Sequence, residues 1–541
     1  MRIVKTVVSA FLCFTLLVSL GLCLSGCATG ERREEIVISI PYNKYIRNID
    51  TNYYKEWLEQ QTGLSIKFNI VHDVLTADYL RAMFASGYVK SDAFFSIFDN
   101  GDLSENNIIL QEFGEKGYII PLNDYIKRST RLNAIFEDYD GYDLRSAITS
   151  PDGNIYYVPG LDPSESESNF TVLWLNESWL KRLKLNIPRT TADFRDVLYA
   201  FKNNDPNGNG EYDEIPLAGS NNIPSEQSYN FIINAFICND PDNTRIYIKD
   251  GIAGFAPVTP EWREAMQYLR ALYDDGLLDP LQFALGHNGL ETLANDPARI
   301  LGGFTGASVT DVIYRDNPEL IHNYVHIAPL TGPDGTCSAT ARTPLPTPAG
   351  VITSECKNPE AVFRLFDLML SEEAFLIGRY GEENTDWIPA YSTDLDSYGN
   401  KATVRVINQL WDVVQNKHIC ETGPFFAYPK YVDGVTFLGS EAAQEYVNAR
   451  AYRAYGQYKP DEYIKTVLFY QESLMEQRGV RASVDVYVNE NIKKFITGET
   501  NPYEDVDWDE YVCGFAGLGI DELLKAVQVA YDKTVIQGSI S

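Results

Sequence analysis

Three observations predict an α/β protein of more than one domain. From Ile36 onward the chain alternates strand-like and helix-like hydrophobic patterns. The chain has 541 residues, whereas single cores stop growing at roughly 250–300 residues. No Pro/Gly/Ser-rich linker divides it, so the domains are expected to share several crossing segments rather than follow one another as beads. There is no internal repeat or low-complexity tract, and a composition of 45% hydrophobic and 22% charged residues is that of a globular chain.

The elements follow in order. Arg2 and Lys5 precede an apolar run from Val7 to Leu24, the arrangement of a secretory signal. A transmembrane anchor needs about 20 apolar residues; Thr15, Ser19 and Gly21 dilute this run. Leu24-Ser25-Gly26-Cys27 resembles the bacterial lipobox, whose thiol takes a diacylglycerol. The expectation is a lipoprotein signal peptide over 1–26, lipid on Cys27, a charged tether over 27–35, and a protein anchored at the extracellular face of the cell membrane. A multiply acylated cysteine holds firmly where one chain would not.

Ile36 to Ile40 reads as a strand ended by Pro41. Asp50 or Thr51 opens a helix with Tyr53, Tyr54, Trp57 and Leu58 on one face, closed by Gly63. Leu64, Ile66, Phe68 and Ile70 alternate as a second strand, which makes a βαβ unit with a parallel pair. A helix through Leu80, Met83 and Phe84 and a strand over Ala93 to Phe98 complete an α/β lobe. Farther on, Thr190 with Asp193 forms a capping box, Thr259 caps a helix with Pro260 in its first position, and Asn358-Pro359-Glu360 starts another. Their aromatic stripes read as core.

Charge and cysteines bound the function. The leader carries two of the 45 cations and none of the 75 acids, which leaves 43 against 75, a balance of −32. Nucleic acid as a partner is excluded by the lack of a basic stripe, and flat docking on anionic headgroups is disfavoured. Cys238, Cys337, Cys356, Cys420 and Cys513 are scattered and odd in number, without CxxC spacing, so no zinc or redox motif is present. His322 and His326 are four apart, but Tyr324 to Ile327 reads as a strand, so helical zinc spacing does not apply. No HExxH or GxSxG motif occurs.

One motif is sharp. Asp205-Pro206-Asn207-Gly208-Asn209-Gly210-Glu211-Tyr212-Asp213-Glu214 has oxygen ligands at positions 1, 3 and 5 and glycine at 6, the start of an EF-hand calcium loop. The position-7 carbonyl of Glu211 adds an oxygen. Pro216 stands at position 12 and cannot give the bidentate carboxylate; Asp213 and Glu214 close the shell instead. A single loop without paired helices has nothing to open, so the expected Ca2+ is structural.

Several ordered segments resemble the large oligosaccharide-binding type of family 1 extracellular solute-binding lipoproteins of ABC importers. They are Trp57 to Gly63, Ala85-Ser86-Gly87, Leu173 to Leu180, the Asp205 to Glu214 loop, Asp274 to Pro280, Pro329 to Gly335, Phe495 to Gly498 and Trp508 to Tyr511. Lys90-Ser91-Asp92 departs from the family, where proline usually precedes the aspartate. The resemblance implies a two-lobed periplasmic-binding-protein-like (type II) α/β fold with a hinge between discontinuous lobes. The first lobe would hold 36–170 plus 332–377, and the second 171–331 plus 378–541. The ligand would lie outside the strand ends, against Tyr42, Asn43, Asp99, Asn100, Phe304 and Trp387.

Sugars need flat apolar faces and planar polar side chains, and 35 Tyr with 26 Phe supply such faces. The resemblance implies no catalysis: the protein would capture an oligosaccharide and deliver it to ABC permease subunits. A surface glycan-active enzyme, a peptide receptor and a feeder of a sensor kinase are the alternatives. A carboxylate pair could serve an enzyme, but among 75 acidic residues such pairs arise by chance.

Overall fold

The computed structural model describes residues 33–538 apart from 73–76, 88–89, 100–102, 165–170, 315–316, 341–342, 397, 412, 439–441, 466–473 and 475. The leader, Cys27, most of the tether and Asn100 lie outside the described residues. No helix among the described residues is long and apolar enough to cross a membrane.

The first lobe is built on the predicted βαβ unit. β1 (Glu35–Pro41) pairs in parallel with β2 (Ser65–Val71), Ile38 opposite Phe68, and on its other side with β3 (Ala93–Phe95). The intervening helix is Tyr53–Thr62, and Gly63 ends it with φ 73°, a conformation that favours glycine. Its cap is Asn52, not Asp50 or Thr51, which belong to a preceding 3-10 turn. A tertiary contact accompanies this shift: buried Asn52 caps with Oδ1 while its amide donates to the His418 carbonyl at 3.0 Å. β3 stops at Phe95, short of the expected Phe98, because Ser96 turns left-handed at φ 48°.

β10 (Thr347–Ile352) then inserts antiparallel between β3 and β4 (Val158–Leu161), and β13 (Phe425–Phe426) closes the sheet beside β4. The order β2-β1-β3-β10-β4-β13 draws on distant parts of the chain, as the discontinuous type II lobe requires. Helix Pro359–Met369, capped by Asn358, packs on Tyr53–Thr62.

The second lobe centres on β5 (Val172–Asn176). All five of its residues are buried, which explains their unbroken apolar run. It lies between β8 (Gly303–Gly306) and β9 (Tyr324–Ile327), antiparallel to both. The Thr190–Asp193 capping box and the Thr259 cap with Pro260 form as the sequence predicts. Trp262, Met266 and Leu269 are fully buried, and helix Pro260–Asp274 packs on helix Arg478–Thr497. This core combines residues of 172–330 with others of 451–530.

Packing departs from the expected lobe boundaries. Residues 415–426, expected in the second lobe, pack on the first. β13 is a strand of the first sheet, Ile419 joins the first core, and Ile46 bridges Gln415. Ala339, assigned to the first lobe, packs in the second core. Among the described residues no disulfide joins Cys238, Cys337, Cys356, Cys420 and Cys513.

Candidate functional site

The predicted ligand residues separate into two groups. Tyr42, just past β1, is 55% exposed and stacks on His72 with ring centroids 4.8 Å apart. Asn43 accepts the Tyr45 N–H at 2.9 Å, and exposed Asp99 accepts from Asn106 at 3.4 Å. These three stand at the strand-end edge of the first sheet. Phe304 and Trp387 do not face a cleft. Phe304 is fully buried in β8 against Tyr324, with ring centroids 5.1 Å apart. Trp387, 7% exposed in β11 (Trp387–Pro389), packs with Tyr380, Val404 and Val435 and donates to the Gly381 carbonyl at 3.0 Å. Both aromatics serve as core, where their apolar area is best spent.

The same edge carries a charged cluster that the sequence reading missed. Asp162 directly follows β4. Arg379 lies in the last turn of helix Glu372–Tyr380, and Glu421 precedes β13. The Arg379 guanidinium lies 2.5 Å from Glu421 and 3.4 Å from Asp162, with side-chain exposures of 19%, 19% and 12%. Its carbon sits 5.7 Å from the Trp411 ring centre and 5.9 Å from that of Phe375, within cation–π range. Trp411 in turn donates to the Arg379 carbonyl at 3.0 Å.

Burial works against the charge on Arg379, but Glu421 and Asp162 outweigh it and hold the guanidinium charged. Burial pushes the Glu421 carboxyl up, with Arg379 pulling it back. A guanidinium between two carboxylates sets donors and acceptors side by side, a surface suited to hydroxyl groups.

The backbone here is strained. Ser96, Cys420 and Glu421 are left-handed at φ 48°, 53° and 52°, a conformation that costs non-glycine residues and gathers at functional sites. Gly423, at φ 99°, donates its N–H to Ser96 Oγ at 3.0 Å. A Cβ at Gly423 would come within 2.6 Å of the Phe95 ring, so glycine is what lets this segment close on β3. Of these features, only Asp162 had a local sequence signal, an acid directly after an apolar run. Arg379 and Glu421 meet through the fold.

His418 supports the cluster from below. It is fully buried, and its ring centre lies 5.1 Å from that of Trp411. Nδ1 accepts the Cys420 N–H at 3.1 Å, which places the proton on Nε2. Burial, with Arg379 adding to it, pushes its pKa down to about 4. The unfolded chain, titrating near 6.5, therefore binds the extra proton between those values. The stability from keeping His418 neutral is complete above about pH 6.5 and is lost as pH falls toward 4, by at most about 3 kcal/mol. Asp240, pushed up to about 7 by burial, works with the opposite sign over the same range. Melting curves of wild type and His418→Gln should thus converge as pH falls from 7 to 4; a constant gap would refute the assignment.

In the second lobe the Asp205 to Glu214 loop is wound tightly. Asp205, itself at φ 45°, accepts the N–H groups of Gly208, Asn209 and Gly210 at 2.8–3.1 Å. Asn207 accepts from Asn209 N at 3.0 Å and Asn209 from Glu211 N at 2.7 Å, while Asp213 accepts from the Asn209 amide at 3.1 Å. Glu214 is 8% exposed and neither carboxylate oxygen has a well-formed hydrogen bond. The backbone N–H groups of Asn207 and Glu214 itself only partly offset the burial, and with Asp205 and Asp213 adding to it, burial pushes the Glu214 carboxyl up. A buried carboxylate without well-formed hydrogen bonds suits a hard cation, although no three acidic side chains among the described residues converge as a metal cluster. The loop runs into Ile215, which exchanges backbone bonds of 2.8 and 2.9 Å with Ile300 and Gly302, and so ties down the edge beside β8.

A cavity of about 850 Å³ opens beside the β4–β13 end of the first sheet, lined by Pro163, Pro344, Phe426, Tyr428 and, from the second lobe side, Tyr463 and Lys465. It takes no residue from the ends of β1, β2 or β3. Lys465 donates to the Gly141 carbonyl beside it, and Tyr142 to the Pro344 carbonyl at 2.8 Å.

Residues 48–374 match the model of the bacterial extracellular solute-binding protein family. The chain is 26% identical over 499 residues to the fructooligosaccharide ABC transporter substrate-binding protein FusA of Streptococcus pneumoniae, covering 90% of this chain and 85% of that one. It is 24% identical over 225 residues to the polygalacturonan/rhamnogalacturonan-binding protein YtcQ of Bacillus subtilis, 41% of this chain and 40% of the relative. Among solved structures, FusA with kestose superposes with a TM-score of 0.68 at 22% identity, over 93% of this chain and 100% of that one. A FusA structure described as an EF-hand mutant gives 0.69 at 22% identity, with the same coverage. A human-milk-oligosaccharide-binding protein from Bifidobacterium longum infantis gives 0.71 at 18% identity, over 93% and 99%.

Proposed function

We propose that this chain, which belongs to the bacterial extracellular solute-binding protein family, captures an oligosaccharide outside the cell and hands it to an ABC permease. The carrying observation is the Asp162–Arg379–Glu421 cluster beside Trp411 at the strand-end edge. It combines an aromatic face with carboxylate acceptors and a guanidinium fork, the chemistry that hydroxyl-rich rings need. Tyr42, Asn43 and Asp99 extend this wall, and Asn100 follows them in sequence. Similarity to oligosaccharide-binding transport proteins supports the same reading. Thermal-shift screening of oligosaccharides against peptides tests it: stabilisation by a peptide and by no saccharide would overturn the carbohydrate assignment.

The Asp205 to Glu214 loop holds a structural Ca2+ through Asp205, Asn207, Asn209, the Glu211 carbonyl, Asp213 and Glu214. The unsatisfied Glu214 carboxylate supports this, as does the EF-hand description of the similar FusA structure.

Lipid on Cys27 keeps the receptor beside its permease. Cells expressing Cys27→Ser should release the protein into the medium while the wild type sediments with membranes; equal membrane retention of the two would remove the anchor.

A further inference from the structure

We infer that His287 is the second lobe's contact with the captured ligand, set in place by the buried carboxylate of Glu226, and that the ligand there is a neutral, hydroxyl-rich saccharide. The inference rests on the saccharide reading above and adds the opposite wall of the site.

The placement comes from topology. Val172, where the chain enters the second lobe, pairs with Gly306 at the end of β8. Ala218 bridges Phe304 in parallel, so the chain leaves this sheet at Ser220 on the same edge as Val172. That is the edge from which the connection to the first lobe departs. The loop at this edge is pinched onto Glu226. Ser220 N donates to the Glu226 carbonyl at 3.0 Å, and a Cβ on Gly219 would come within 2.6 Å of that same oxygen.

Glu226 is 1% exposed, and both its oxygens are engaged. Oε2 accepts from Ser220 Oγ at 2.5 Å, and Oε1 lies 2.7 Å from His287 Nδ1. A carboxylate can only accept, so Nδ1 carries a proton, and Nε2 is the ring's second polar atom. The His287 side chain is 35% exposed. Asn222 lies beside it: a Cβ on Gly286 would stand 3.3 Å from Asn222 Oδ1. A packed apolar pair would hold this loop without the cost of burying a charge. The arrangement instead orients a partly exposed imidazole, as carboxylates behind functional histidines do. A sugar hydroxyl pairs with Nε2 and the ring face takes C–H groups. The negative charge of Glu226, like the carboxylate excess around Arg379, disfavours an acidic sugar.

Isothermal titration of the mature chain with kestose, maltotriose and xylotriose, beside trigalacturonate as the acidic probe, tests this. Wild type should bind a neutral member more tightly than trigalacturonate. His287→Ala should weaken that binding about tenfold, and His287→Gln, which keeps a polar atom near Nε2, by no more than about threefold. Glu226→Gln should weaken binding about threefold in the wild type and not at all in the His287→Ala background, a coupling that a merely structural carboxylate would not show. Binding by His287→Ala within twofold of wild type, an equal effect of Glu226→Gln in both backgrounds, or preference for trigalacturonate overturns the inference while the receptor reading stands. A wild type that binds none of the four overturns both.

Discussion

Arg379→Ala is expected to lower oligosaccharide affinity by more than about 100-fold, with titration calorimetry as the readout. The guanidinium is the single cation between Asp162 and Glu421, at 3.4 and 2.5 Å. Its loss removes charged hydrogen bonds worth about 1.5–3 kcal/mol each. It also leaves two carboxylates facing each other across a partly buried space, so they would repel or take up a proton. Arg379→Lys keeps the charge but not the planar fork or its stacking on Trp411, and should fall between, at about a tenfold loss. The lysine variant also controls for folding, because it preserves the ion pair that holds Glu372–Tyr380 against β4. If Arg379→Ala binds within threefold of wild type, the cluster is a structural tie and the ligand lies elsewhere.

Removing calcium is expected to lower the melting temperature by about 5–10 °C. An ion at about 100 times its dissociation constant stabilises by about 2.7 kcal/mol, and each kcal/mol shifts a domain of this size by about 2–4 °C. Glu214→Gln gives the diagnostic contrast. With chelator the variant should melt above the wild type, because a neutral amide replaces a buried carboxylate pressed by Asp205 and Asp213. With calcium it should melt below the wild type, because the ligand is gone. Identical wild-type melting curves with and without chelator would remove the ion from the account.

Much of the first lobe was legible in the sequence. Periods of two and of 3.6 are local properties, so β1, the helix Tyr53–Thr62 and β2 follow from residues a few positions apart. The Thr190–Asp193 capping box, the Thr259 cap and the Asn358 cap were readable for the same reason. Where a tertiary partner competed, the local reading slipped: Asn52 replaced Thr51 as cap beside the His418 carbonyl, and Ser96 cut β3 short under Gly423. Phe304 and Trp387 show another limit. An aromatic after a strand-like run has one sequence signature whether it lines a cleft or fills a core, and only packing assigns it.

The sequence by itself determined the α/β class, the order of the early elements and the tight acidic loop, because each is written in neighbouring residues. It also supplied the expectation of a lipid-bearing Cys27. The tertiary structure alone decided that 415–426 packs on the first lobe, that Glu214 is buried without well-formed hydrogen bonds, and that Asp162, Arg379 and Glu421 meet. Those contacts join residues far apart in the chain, and their energy comes from burial and charge proximity, which exist only once the sheet has brought the strand ends together.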